Sequence, residues 1–280
     1  PPSPPPPSPS LPSPLFPSPP PPLTQELGDI ISALLNATEL NQDLSSLTDA
    51  LALLYSPHDD ATPAASLPPA LVTAVLDKVA SLAASLSAFD GDSGAAAEAE
   101  NDMVVAEVTT GAKLVGVLLA VAETVEESTA VAATSALSSL VEGMHGRLAD
   151  VGGTEGDVGS RTNAGAAAAS SVGLAINSLG ARAVEARIKQ AVGLSASVGG
   201  GGSSAPPPPL MLRSANLNLT LTVSEPGALG DEPFACDTAS TPVKVALPRG
   251  MMRLLSAAGQ GTEDEPVGVV FTVTNLRVEP

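Results

Sequence analysis

Residues 199–223 read GGGGSSAPPPPLMLRSANLNLTLTV, and the apolar pattern changes character across them. Glycines and serines make a flexible stretch, and the proline run then stiffens it. Beyond the prolines, Leu217, Leu219, Leu221 and Val223 alternate with Asn218, Thr220 and Thr222. That alternation puts one set on each side of a strand, so it predicts a half-buried β-strand. Upstream the apolar residues recur at helical spacing instead. Residues 199–209 therefore read as a linker between a helical subdomain, 23–198, and a β-subdomain, 210–280. The expected class is α+β: an antiparallel helical layer followed by a small, incomplete antiparallel sheet.

Working back from the linker, Val172, Ile176, Leu179, Ala183, Val184, Ile188 and Val192 form one stripe, predicting a helix over about 164–192. Residues 149–163 are rich in Gly and Asp and read as a surface loop. Before them a helical region begins near Ala95, runs from Met103 to Val125 and continues or re-starts through Val131, Leu137, Leu140, Val141, Met144 and Leu148. Its most apolar part, Leu114 to Ala122, is too short to span about 30 Å of hydrocarbon and reads as a buried core helix. Val72, Val75, Leu76, Val79, Leu82, Leu86 and Phe89 make another helical face after Pro68-Pro69. The first stripe is Leu27, Ile30, Ile31, Leu34 and Leu35, extended by Leu40, Leu44, Leu47, Leu51 and Leu54. Thr24 stands where it can cap that helix.

Residues 1–22 are almost wholly Pro and Ser, and proline removes the amide donors that helix or sheet would need. They predict a disordered, extended polyproline II stalk. The chain opens Pro1-Pro2 without Met or an apolar leader, which reads as a piece cut from a longer protein. Downstream of residue 223, Val243, Val245 and Leu247 alternate again, and Val267, Val269, Phe271 and Val273 form one face of a further strand. A short helical turn is expected at Met251 to Leu255.

The 280 residues carry 30 acidic and 12 basic side chains, a net charge of −18, and no Lys or Arg precedes Lys78. Such a chain repels phosphate backbones and anionic membranes, so nucleic acid is not an expected partner. One cysteine and two histidines leave little for a disulfide framework, zinc or proton-shuttle chemistry. Asp90-Gly91-Asp92-Ser93-Gly94 begins like a calcium loop but lacks its later ligands, with Ala95 and Asn101 where Gly and Glu belong. It reads as an acidic turn. So does His58-Asp59-Asp60, and His145 reads as a helix-end residue favoured by the dipole. The runs Glu98-Glu100-Asp102, Glu123-Glu126-Glu127 and Glu263-Asp264-Glu265 are solvated faces on which calcium can condense weakly. No Gly-x-Ser-x-Gly elbow and no phosphate loop occur, so no catalytic residue, cofactor, metal ligand or small-molecule substrate is expected.

Two sequons, Asn36-Ala37-Thr38 and Asn218-Leu219-Thr220, are candidate glycosylation sites, each placed off the apolar stripe or on the polar strand face. Cys236, expected in a strand-connecting loop, is either a buried small hydrophobe or half of a disulfide whose mate lies beyond residue 280. A secreted setting favours the second.

Two local patterns carry a resemblance. One is the strand-turn-helix Val243-Lys244-Val245-Ala246-Leu247-Pro248-Arg249-Gly250-Met251, and the other is the strand Val267 to Thr274 running into Asn275. With helices first and strands after, they resemble the GAIN region, often preceded by an REJ module, of polycystin-like proteins and adhesion receptors. The Pro/Ser stretch is similar to the hydroxyproline-rich stalks of algal and plant surface glycoproteins. The resemblance implies an algal polycystin-like (PKD/REJ-like) channel or receptor, with hydroxylated, sugar-bearing prolines. The expected location is the extracellular face of the plasma or ciliary membrane. Partners would be the rest of the parent membrane protein and matrix proteins. The His-Leu-Ser/Thr cleavage step of that region does not occur in these residues, so no catalytic residue carries over. The expected function is a non-enzymatic extracellular stalk or presentation domain. The alternative is a hydroxyproline-rich cell-wall or matrix glycoprotein.

Overall fold

The structure, a computed structural model, describes residues 25–40, 42–54, 66–86, 95–148, 158–197, 208–224, 234–237, 242–245 and 267–274. The expected stalk 1–22, Thr24, the His58-Asp59-Asp60 and Asp90 to Gly94 turns, most of the 199–209 linker, the Met251 to Leu255 turn and Glu263 to Glu265 lie outside these residues.

The described chain is α+β. Its helices are α1 (Gln25–Asn36), α2 (Gln42–Leu54), α3 (Pro69–Leu86), α4 (Ala95–Val121), α5 (Glu127–Leu148) and α6 (Val158–Ser197). Its strands are β1 (Leu210–Arg213), β2 (Leu217–Ser224), β3 (Phe234–Asp237), β4 (Pro242–Val245) and β5 (Val267–Thr274).

Helix α1 buries Leu27, Ile30, Ile31 and Leu34 of the predicted stripe, whereas Leu35, its fifth member, is left exposed at the edge of that face. The stripe then leaves the helix at 37–40, so it belongs to two helices, with Leu40 buried between them and Leu44 and Leu51 buried on α2. Pro69 opens α3, where its missing amide costs nothing, and the Pro68 carbonyl accepts from the Leu71 and Val72 amides at 3.0 and 3.2 Å. The apolar series from Val104 to Met144 resolves into two helices, α4 and α5, joined through Ala122 to Glu126.

One backbone contact organises this corner. The Leu67 amide donates to the Val121 carbonyl at 2.8 Å, and the Glu123 amide donates to the Leu67 carbonyl at 3.0 Å, a one-residue parallel bridge. It pins the start of α3 beside the start of α5. The two helices then run side by side in the same direction: Thr73 Oγ1 meets Thr129 Oγ1 at 3.0 Å, and Leu86 lies over Gly143. Helix α4 returns antiparallel to α5, with Gly111 against Leu140 and Gly143 near Val108. The layer is therefore not uniformly antiparallel. Both glycines mark close approach, since a Cβ on Gly111 would sit 2.8 Å from Leu140 Cδ2 and one on Gly143 would sit 3.2 Å from Leu86 Cβ.

Helix α6 packs chiefly on α4 through a row of small and branched residues: Ala168, Val172, Ala175, Ile176, Leu179 and Ala183. It begins at Val158, inside the expected loop, and spans about 60 Å by its 40 residues. Helix α3 and the Asp102–Val121 part of α4 are long and apolar enough to cross a membrane by length and composition. The apolar run thus exceeds Leu114 to Ala122, and length does not exclude a span. Here 56% of that α4 stretch is buried inside the protein.

The sheet order is β1-β2-β5, all antiparallel, and β3 pairs with β4 in a separate ribbon. Strands β1 and β3 are not in the sequence expectation, being too short to show a period. Cys236 accordingly lies in β3, opposite Val243, and not in a connecting loop. The turn between β1 and β2 is Ala215–Asn216, closed by the Ser214 amide donating to the Leu217 carbonyl at 2.9 Å. Leu217, Leu219, Leu221 and Val223 are buried as predicted, but Asn218 and Thr220 are buried too, each 7% exposed. The strand is therefore enclosed on both faces rather than half-buried.

The register also sorts β5. Thr274, Thr272, Val270 and Gly268 pair with Leu217, Leu219, Leu221 and Val223 in register, and Val273, Phe271, Val269 and Val267 with Asn218, Thr220, Thr222 and Ser224. The leucine face joins the helical core: Leu212, Leu217, Leu219 and Leu221 belong to the same buried cluster as α1 to α6. Sheet and helices meet through α5 and α6. The change of period at 199–209 marks a change of secondary structure, and the core runs continuously across it.

Candidate functional site

An open groove of about 430 Å³ lies between α1 and the start of α3, lined by Gly28, Ile31, Ser32, Leu35, Asn36 and Leu71. Its form follows from α1. The buried stripe faces the core, and the next residues round, Gly28, Leu35 and Ser32, border the groove. A Cβ on Gly28 would meet nothing within 4 Å, so the glycine leaves open space there. Leu35 is left 36% exposed on one wall.

Asn36, the first sequon asparagine, closes α1 and forms part of that wall. It is exposed, as is Thr38. Its amide Nδ2 donates to Ser32 Oγ at 3.5 Å, one turn back. Asn218, the second, is buried in the central strand between β1 and β5. The structure separates two residues that the sequence treats alike.

The buried and half-buried polar groups hold elements to one another. Arg182 on α6 donates from Nε to the Leu119 carbonyl at 3.2 Å and from Nη2 to the Ala122 carbonyl. It thereby satisfies carbonyls that the end of α4 leaves without helical partners. Its Nη1 also pairs with Glu185 Oε2 at 2.8 Å, and Lys189 Nζ holds Glu185 Oε1 at 2.7 Å. The hydrogen bond from Lys189 chiefly, with the charge of Arg182, holds the Glu185 carboxyl below the ordinary carboxylate range.

A second clasp ties the sheet to α5. Asn216, 6% exposed, donates its backbone amide to Ser138 Oγ at 3.1 Å. Its side-chain amide donates to the Ser138 carbonyl at 3.3 Å and to Glu142 Oε2. Buried threonines return their hydroxyls to their own helices: Thr48 to the Leu44 carbonyl and Thr134 to the Ala130 carbonyl, both at 2.7 Å. Arg187 donates to the Pro208 carbonyl and so fastens α6 to the residues that lead into β1.

Among the described residues no group of three His, Cys, Asp or Glu side chains is placed to hold a metal ion. Glu123, Glu126 and Glu127 are exposed around the α4–α5 connector. The Glu107 carboxyl is pushed above its ordinary range, by partial burial first and by the charge of Glu39 second. Sequence reading missed the clasp at Asn216. Its one signal is local: Ser214-Ala215-Asn216 stands directly before an alternating strand, which is turn chemistry. It missed the groove because α1 and α3 are separated by 32 residues of chain, from Asn36 to Pro69.

No protein-family model, no curated protein and no solved structure matches this chain.

Proposed function

We propose that this chain is a non-enzymatic presentation domain of a larger extracellular surface protein, in which the Pro/Ser segment 1–22 is the spacer and the α+β body is the element presented. One observation carries the reading. Several enclosed or half-buried polar side chains join its parts: Arg182 to the end of α4, Asn216 to α5, and Thr73 to Thr129. A body so tied suits display at the end of a rod. The Pro/Ser composition supports an extended, solvated rod. The polycystin-like, GAIN/REJ-like assignment belongs to this proposal and rests on the order of helices before strands and on the pattern at residues 243–275.

The test uses the cells that make the protein. A membrane-impermeant amine-reactive label applied to intact cells should mark Lys78, Lys113 and Lys189, which peptide mass spectrometry reads directly. Labelling only after the cells are broken would overturn the extracellular reading. Extraction then separates the two forms of it. Release by detergent supports membrane attachment, whereas release by chaotrope or wall digestion alone supports the cell-wall or matrix glycoprotein.

A further inference from the structure

We infer that Asn36 is the N-glycan acceptor of this chain, that Asn218 is not, and that the first sugar of the Asn36 glycan covers the groove between α1 and α3. The inference rests on the extracellular reading for its natural setting. Its structural grounds are separate.

The two sequons differ in what a glycan would do to the fold. At Asn218 the side chain lies in the middle strand of β1-β2-β5, 7% exposed, with Thr220 equally enclosed. A sugar attached there before folding would have to sit where that strand is closed off, so a glycosylated chain could not complete the sheet. At Asn36 the geometry is the reverse. The residue is the last of α1, and Ala37 and Thr38 follow without regular structure, both outside the helical hydrogen-bond ladder apart from the Ala37 amide reaching the Leu34 carbonyl at 3.3 Å. Asparagine and threonine are both exposed.

The chemistry needs a lipid-linked oligosaccharide diphosphate and a membrane transferase, both supplied by the secretory route. The Asn36 side-chain nitrogen forms a bond to C1 of the first sugar. The C1–O bond to phosphate breaks, and the lipid diphosphate leaves with that electron pair. One amide proton passes to a base of the transferase. Nδ2 keeps its other hydrogen, so the donation to Ser32 Oγ can persist after modification.

The groove gives that first sugar a place to lie. Asn36 is one of its walls, so a ring on Nδ2 starts at the rim rather than reaching it from a distance. The lining is mostly apolar, from Ile31, Leu35 and Leu71, and Gly28 leaves it open. An N-acetylhexosamine has an apolar ring face and an acetyl methyl group, which fit such a lining, while its hydroxyls stay in water. The exposed part of Leu35 would then be shielded.

The experiment is secretion of the full chain, behind a cleavable leader, from a eukaryotic host. The variants are Asn36→Gln, Thr38→Ala and Asn218→Gln, and the readout is intact mass before and after amidase release of N-glycans. The expected result is one N-glycan on the wild type, absent from Asn36→Gln and Thr38→Ala and retained by Asn218→Gln. Secreted wild-type chain with Asn36 unmodified, or folded chain with a glycan on Asn218, would overturn the assignment. The groove is tested by melting. Protein trimmed to a single sugar should melt with the fully glycosylated form, and Thr38→Ala should melt about 2–4 °C lower. Equal melts for all three would overturn the groove contact. A chain that passes in this host yet resists surface labelling in its own cells would disprove the extracellular reading and leave the acceptor assignment standing.

Discussion

Helix α1 and helix α5 bury their residues in opposite ways. Helix α1 spends one stripe, Leu27, Ile30, Ile31 and Leu34, on the core and leaves most of its other residues exposed. Helix α5 is buried over most of its circumference, with Thr129, Ala130, Ala132, Ala133, Thr134, Ala136, Leu137, Ser138, Leu140, Val141 and Met144 all enclosed. It touches α3, α4, α6, β1 and β2. Small residues make this possible, because Ala, Ser, Thr and Gly let several backbones approach one helix at once. A peripheral helix is specified by the spacing of large side chains, and a central one by where large side chains are missing.

The largest expected effect sharpens that contrast. Leu140 is fully enclosed and lies against Gly111, so its neighbours are fixed on all sides. Leu27, 3% exposed, lies on a helix that packs through one stripe only, which leaves it more room to close over a cavity. Leu140→Ala should cost near the upper end of about 2–5 kcal/mol, and Leu27→Ala near the lower end. Urea titration of both variants measures this. Equal costs would show that α1 is held as rigidly as α5.

Next comes the clasp. Asn216→Ala leaves the Ser138 carbonyl and the Glu142 carboxylate without that amide. The expected loss is about 1–3 kcal/mol, again read by urea. A loss below about 0.5 kcal/mol would mean that the sheet is held by its leucine face alone.

The smallest effect concerns pH. Glu107 has its folded pKa raised by partial burial and by Glu39, so the folded state penalises its charged form. The penalty is absent below the unfolded carboxylate range, about 4.3, and grows as pH rises through the folded value. Glu107→Gln should therefore raise the melting temperature slightly near neutral pH, and should lose that advantage below about pH 4. An advantage that persists in acid would assign the effect to something other than the charge.

The contrast between α1 and α5 also says how much was legible beforehand. Peripheral stripes were readable because large residues repeat on one face: Leu27 to Leu34, Leu44 with Leu51, and Val72 to Leu82 all lie where their spacing puts them. The leucine face of β2 was readable for the same reason. What escaped was set by non-local geometry. The parallel run of α3 and α5 depends on the bridge between Leu67 and Ala122, two residues far apart in the chain with no local signature. The burial of Asn218 depends on strands pairing on either side of it, and Asn and Thr at alternating positions read as a solvated face. The four-residue strands β1 and β3 are too short to show a period. Of the candidate site, the sequons were plain in the sequence, but their difference in exposure and the groove beside Asn36 were not.

Helices and sheet share one core across the Gly/Pro linker. Native-state hydrogen exchange tests it most directly, because each amide reports the opening of its own element. The slowest amides of α5, around Leu137 to Val141, and of β2, around Leu217 to Leu221, should open with the same free energy and the same denaturant dependence. If β2 instead opened several kcal/mol below α5 and left α5 protected, the sheet would be a separate unit and the shared core would be contradicted.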